Sequence, residues 1–265
     1  MQTLRNALLL VGLLLGTVAT AHAALPDNYR LILQTENFPP FSMTADNKKF
    51  ARGEKILGIG ADTVRDMFQR AGIPYSMTLR SPWSRIYGDT LNSPDHGLFS
   101  IVRTPANDGL FKWVGPLAHY DSVLLSAAGR DLKLKSLEQA AAYKIGVYRN
   151  GAVNAYLESQ GLSAEDSLSE QDNVQRLLKG DIDLWATAEP SWRYYAKQLG
   201  VGGLETALTF HTSELFLALH KDTPDEVVVR LQNALNEIIG EGYSGCSKTP
   251  EFCYLIRNRK VPTGG

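Results

Sequence analysis

Two arginine-bearing stretches of this chain stand where a strand hands over to a loop or helix, a place that can hold an anion. In "FSIVRTPAND", Ser100 lies on an otherwise apolar strand and Arg103-Thr104 closes its C-terminal end. A guanidinium there can grip a carboxylate through two parallel hydrogen bonds, or it can pair with a structural carboxylate of the fold. In "GVYRNGAVNAY", Arg149 and Asn150 end a strand at the start of a helix, where unpaired backbone N–H groups attract anions. Any strand–turn–helix has that form, so this second stretch weighs less. Among acids, Glu189 follows the strand of "IDLWATAEP" and reads as a polar contact or a general base, with Trp185 before it as core. Glu36 reads as a polar contact or as a solvated loop charge.

Aromatic candidates come from "TENFPPF", residues Thr35 to Phe41. Pro39-Pro40 fixes the local backbone and removes two donors, so the segment cannot continue a central strand. A rigid loop after a strand of an α/β sheet is a favoured ligand position, which makes Phe38 a candidate wall; burial of both rings in the core is the other reading. Trp83 is equally a wall or packing, and Arg85 beside it a surface charge. "GIGADT" lacks the third glycine of the dinucleotide fingerprint.

Other chemistry finds little support. The sequence has no G-x-S-x-G elbow and no P-loop, and its mature histidines, His96, His119, His211 and His220, show no metal-ligand spacing. No cofactor or metal is expected. A net charge of -1 with no run of one sign excludes a phosphate-binding surface of the nucleic-acid kind. The chain opens with Arg5, an apolar run from Ala7 to Val18 and the triplet Ala21-His22-Ala23. This order reads as a secretory signal over 1–23, cleaved near Ala23, and the run falls short of the about 20 residues a membrane span needs. In the oxidising compartment that follows, Cys246 and Cys253 are expected to form a disulfide.

The elements that must position these residues read as alternating strands and helices, hence an α/β fold. The first series runs through a strand Tyr29–Thr35, a helix Ala61–Ala71 stopped by Gly72, a strand Tyr75–Leu79, a helix opened by Ser81-Pro82 and a strand Gly97–Val102. Phe111, Trp113 and Val114 are assigned to the loop after it. A strand Ser122–Gly129 and a capping box at Ser136/Gln139 lead to a second series. It comprises strand Lys144–Tyr148, a helix to Gly161, helix Val174–Lys179, strand Ile182–Ala186 and a helix from Pro190 to Gly200. "SELFLALHK" is then a strand, and Thr223-Pro224-Asp225-Glu226 a capping box for the last helix.

In this order "TENFPPF", a G-x-G-x-D helix, "PWSR", "FSIVRTP", "FKWVGPL", "KIGVYRNGAVNAYL", "LLKGDIDLW" and "TPDEVVVRLQNAL" resemble the family 3 extracellular solute-binding proteins of amino-acid ABC importers, over nearly the whole mature chain. The resemblance implies a two-lobed periplasmic-binding-protein-like fold of type II, its lobes joined by two crossing strands. Lobe one would comprise 24–120 and 218–265, lobe two 121–217. It also implies that Phe38 and Trp83 sandwich the solute. Three positions depart from the family pattern: Asn107 stands where an arginine usually holds the α-carboxylate, Asn150-Gly151-Ala152 where Gly-Thr is common, and Ala188, with Glu189 next to it, where an aspartate holds the α-amino group. Arg103 is the candidate replacement for the missing arginine.

The resulting expectation is a monomeric periplasmic receptor that closes on a small polar organic solute, amino-acid-like or another small acid, for an inner-membrane ABC permease or a sensor. Two other readings stand beside it. One is an enzyme on the same scaffold, resembling cyclohexadienyl dehydratases, with Glu189 or Glu36 as acid–base group. The other is a ligand-sensing adaptor for a membrane receptor.

Overall fold

The computed structural model describes residues 25–26, 28–45 and 48–242. The expected secretory signal over 1–23 and the expected Cys246–Cys253 disulfide lie outside the described residues.

In the first lobe, β1 (Leu31–Thr35) leads through β2 (Met43–Thr44), β3 (Phe50–Arg52) and β4 (Ile56–Leu57) into α1 (Ile59–Ala71), β5 (Tyr75–Arg80), α2 (Trp83–Asn92) and β6 (His96–Val102). β1 lies parallel between β5 and β6, the chain crossing over through α1 and then through α2. α1 buries Val64, Met67, Phe68 and Ala71, which recur at helical spacing on one face. It ends at Gly72, whose φ of 62° lets its N–H turn back onto the last carbonyls.

β7 (Phe111–Ser126) then crosses to the second lobe, made of β8 (Ile145–Tyr148), α3 (Ala152–Ser159), β9 (Glu165–Ser167), α4 (Glu170–Lys179), β10 (Leu184–Glu189) and α5 (Ser191–Gln198). β11 (Glu205–His220) crosses back to α6 (Asp225–Gly240). One sheet threads both lobes in the order β3-β5-β1-β6-β11-β7-β10-β8-β9. β7 and β11, 16 residues each, are its shared centre: β11 pairs with β6 from Leu215 onward, and β7 pairs with β10 from Asp121 onward. Each lobe fills both faces of its half-sheet. In the first, Phe41, Phe68 and Leu231 pack on one side and Ile86, Leu98 and Phe111 on the other; in the second, Val174, Trp185 and Tyr195 oppose Leu124, Val147 and Leu157.

Three local expectations change. Phe111, Trp113 and Val114 belong to β7 and not to a loop. Val114 pairs with Leu217 and Ala118 with Leu215, so residues 115–117, with Gly115-Pro116 among them, bulge opposite Phe216. A bulge is where a strand tolerates proline, and a Cβ on Gly115 would sit 2.6 Å from the Phe216 ring. The capping box at Thr223 does not form: its hydroxyl is buried without a partner, while Glu226 pairs with Arg230 at 3.6 Å. α4 starts at Glu170, four residues before the expected Val174, because Ser169 Oγ accepts the Asp172 N–H at 3.1 Å and caps it.

Candidate functional site

The loop after β1 is a corner closed by its own backbone. Phe38 N–H donates to the Ser42 carbonyl at 2.7 Å, and the Phe38 carbonyl accepts from Phe41 and Ser42 at 2.8 and 2.9 Å. The carbonyls of Pro40 and Phe41 accept from Ile59, Gly60 and Ala61, the first N–H groups of α1. The start of α1 is therefore satisfied by protein, and "GIGADT" has a packing explanation: a Cβ on Gly58 would lie 2.5 Å from the Pro40 carbonyl oxygen. Phe41 is fully buried, whereas Phe38 is only partly so. The Phe38 ring stands 5.0 Å from Phe41 and edge-on to Tyr120 at 5.5 Å, where Tyr120 is on the shared strand β7.

Ser100 is the extra residue where β6 slips against β11: Phe99 faces Leu217 and Ile101 faces Phe216. Its φ of 60° is left-handed, which costs a non-glycine residue about 1–2 kcal/mol. Its hydroxyl lies 2.9 Å from that of Ser42 and in the space a Cβ on Gly60 would need. Ser100 thus ties the end of β6 to the corner.

Glu36, one residue past β1, turns toward α2. Its carboxylate accepts from the Ser81 hydroxyl and the Trp83 N–H, so it caps that helix start, and burial pushes its acidity below that of an ordinary glutamate despite both donors. Trp83 is partly buried against the Ile86–Leu98 side of lobe one, with its ring 6.3 Å from Tyr87.

Lobe two brings a second group of polar residues. Glu170, at the first position of α4, reaches across to β10, where Trp185 Nε1 donates to it at 2.8 Å and Thr187 Oγ1 at 3.2 Å. Burial raises its pKa to about 7 against the pull of these donors. Tyr148, the last residue of β8, has its phenol pushed up to about 12, by burial first and then by the charges of Glu36 and Glu170. Tyr195 on α5 is raised for the same reasons, with Glu170 and Glu36 again among the charges it feels. One carboxylate from each lobe therefore bears on the same two phenols. On the other face, Val153 and Ala188 of lobe two pack against the lobe-one core that holds Phe38.

The remaining sequence candidates have local partners. Arg103 Nε pairs with Asp108, and its guanidinium lies 5.6 Å from the centre of the Trp113 ring. The Thr104 N–H donates to Asn107 Oδ1 at 2.7 Å and Asn107 Nδ2 donates to the Val102 carbonyl at 3.0 Å, so Asn107 closes the turn. Arg149 pairs with Asp166 at 3.1 Å. Asn150 is exposed with φ 57°, a turn conformation asparagine tolerates. Glu189 accepts from Trp192 Nε1 and from Arg193 at 2.6 Å, the start of its own following helix. Sequence reasoning missed Glu170 and Tyr148. Ser169-x-x-Asp172 is a cap signal that would have moved the start of α4 back to Glu170, and Tyr148 directly precedes Arg149. Among the described residues no group of three or more acidic, histidine or cysteine side chains is placed to hold a metal ion.

No protein-family model matches the chain, and no curated protein sequence does. Solved structures match most of it. The arginine-, lysine-, histidine-binding protein of Geobacillus stearothermophilus is 18% identical, with a TM-score of 0.66 over 80% of this chain and 90% of that one. A histidine kinase sensor domain with similarity to periplasmic binding proteins gives 16%, 0.70, 82% and 93%. An ancestral amino acid-binding protein, a precursor of cyclohexadienyl dehydratase, gives 16%, 0.66, 83% and 94%. The likeness is one of fold: the chain has the two-lobed type II periplasmic-binding-protein architecture, as the sequence resemblance implied.

Proposed function

We propose that this chain is an exported, periplasmic solute receptor that closes its lobes over a small polar organic molecule. One observation carries the reading: Val153 and Ala188 of lobe two pack against the lobe-one core that holds Phe38, in a fold whose lobes are joined through β7 and β11. Groups from both lobes that meet in this way form a site when the lobes close and lose it when they part. The hinge lies near Tyr120-Asp121 and Leu217-Ala218. Phe38 and Trp83 supply walls, Ser100 holds the corner, and Glu36, Tyr148 and Glu170 supply polar contacts. Arg103, Thr104, Arg149, Asn150 and Glu189 shape the turns around them. The partner is a membrane protein that recognises the closed form, an ABC permease or a sensor; the solved neighbours include an amino-acid-binding protein and a sensor domain.

The test is a thermal-shift screen of the mature chain, unfolded and refolded to remove carried-over ligand. Amino acids, amines, dicarboxylates, aromatic acids and sugars make up the panel. A specific solute at a hundredfold excess over its Kd is expected to stabilise by about 2.7 kcal/mol, and Phe38→Ala to abolish the shift. No shift with any compound contradicts the receptor reading.

A second reading has its own observation. A carboxyl with a pKa near 7 is half protonated at neutral pH, which suits a general acid. On the enzyme reading Glu170 takes the role assigned above to Glu189 or Glu36, and the ancestral precursor of a dehydratase shares the fold. Product formed from a cyclohexadienyl acid, and lost in Glu170→Gln, would favour it.

A further inference from the structure

Lobe one carries a basic edge that neither the core nor the candidate site uses. The segment from Lys48 to Leu57, "KKFARGEKIL", holds four cations and one acid in a chain whose net charge is -1. Its strand β3 is the outermost of the nine-stranded sheet. Ala51 is buried in the core, so Phe50 and Arg52 on either side of it share the opposite face of the strand. Phe50 is 52% exposed. The Arg52 guanidinium lies 5.2 Å from the centre of its ring. Arg80, the last residue of β5, stands directly across the ladder from Phe50, so two guanidinium side chains flank one half-exposed ring.

These cations lack counter-ions. Lys49, Arg52, Lys55 and Arg80 form no ion pair among the described residues. Nearby carboxylates are engaged elsewhere: Glu54 and Asp62 hold Arg65, Asp66 holds Arg70, Asp89 accepts from Gln34 Nε2, and Glu36 caps α2. Even with Asp46 just ahead of it, the segment keeps an excess of positive charge. Cations on an edge strand guard it against pairing with another chain, which would explain them if they stood alone. A half-exposed phenylalanine between them does the reverse, because it adds apolar surface to that edge. Basic residues around an exposed aromatic suit an anionic bilayer: headgroups meet the cations, and the ring sits at the headgroup–acyl boundary. Position adds to this. Leu79, just before Arg80, pairs with Thr35 at the end of β1, so Phe50 and the Phe38 corner lie at the same end of the sheet.

We propose that this edge, Phe50 with Lys49, Arg52 and Arg80, docks lobe one on a bilayer surface of anionic phospholipid. The contact holds the chain at the membrane with the Phe38 end of the sheet near it, where a permease or sensor would stand. It goes beyond the receptor reading and needs no solute, so either can fail without the other.

Co-sedimentation of the mature chain with vesicles tests this. One set contains equal parts of phosphatidylglycerol and phosphatidylcholine, the other phosphatidylcholine alone. Binding is expected to the first set only, and is expected to fall as salt rises from about 0.1 M to about 1 M. Arg52→Glu and Arg80→Glu, each first shown to be folded by its melting curve, are each expected to weaken it at least about fivefold. Phe50→Ala keeps every charge and is expected to weaken it about threefold or more. Lys197→Glu, at an exposed position of α5 in lobe two, makes the same charge change away from the edge and is expected to shift binding less than about twofold. Equal binding to both vesicle sets, or equal losses in Lys197→Glu and Arg52→Glu, overturns the assignment. No sedimentation with either set overturns it as well, and leaves the edge to an acidic protein surface.

Discussion

The two sides of the proposed cleft are built by opposite means. In lobe one, the corner from Glu36 to Ser42 is set by backbone hydrogen bonds to itself and to the first turn of α1, so its shape is fixed before any ligand arrives. In lobe two, the wall depends on one carboxylate, Glu170, reaching from α4 to two donors on β10. A backbone wall offers shape that is indifferent to pH; a buried carboxylate offers charge that pH can remove. The contrast also separates two uses of similar residues. Glu170 and Glu189 both lie at or next to a helix start, yet Glu189 pairs with Arg193 while Glu170 forms no ion pair among the described residues.

The largest expected effect tests the lobe-one wall. Phe41 is fully buried behind the corner and Phe38 is not, so Phe41→Ala is expected to cost about 3–5 kcal/mol in urea denaturation. Phe38→Ala is expected to cost about 1–2 kcal/mol, in keeping with its partial burial, while removing ligand binding. Equal losses for the two would erase the distinction between support and wall.

A smaller effect tests lobe two. Burial raises Glu170 from 4.5 to about 7, so the folded protein holds a proton that the unfolded chain releases between those values. A raised acid of this kind favours the folded state at low pH, and that contribution is lost as pH rises from about 4.5 through 7. The contribution at stake is at most about 3 kcal/mol. Urea denaturation of wild type and Glu170→Gln at pH 5 and pH 8 is expected to show the variant gaining relative stability at the higher pH. An unchanged difference between them would mean that this carboxylate is solvated.

Much of this architecture is legible in the sequence. The spacing of Val64, Met67, Phe68 and Ala71 with Gly72 after them defines α1, and the proline pair marks the corner at Phe38. Pairings across the sheet are not legible in the same way. Arg149 meets Asp166 only because β8 and β9 lie side by side, so a cation that looked available at a strand end has a partner 17 residues away. Phe111, Trp113 and Val114, assigned to a loop, belong to β7 because their partners, His220 to Leu217 of β11, lie about a hundred residues away in sequence. Glu170 was hidden by reliance on apolar periodicity, which begins at Val174, one turn after the cap at Ser169 has started the helix.

The central claim is that a single site draws on both lobes through Phe38 and Glu170 and owes little to the exposed arginines. The most direct test is to measure the affinity of the identified solute side by side for wild type, Phe38→Ala, Glu170→Gln, Arg103→Ala and Arg149→Ala. The account predicts at least a tenfold loss in each of the first two variants, one per lobe. It predicts changes under about threefold in the two arginine variants, whose exposed ion pairs are worth about 0–1 kcal/mol. Strong losses in the arginine variants, with Glu170→Gln binding like wild type, would contradict it.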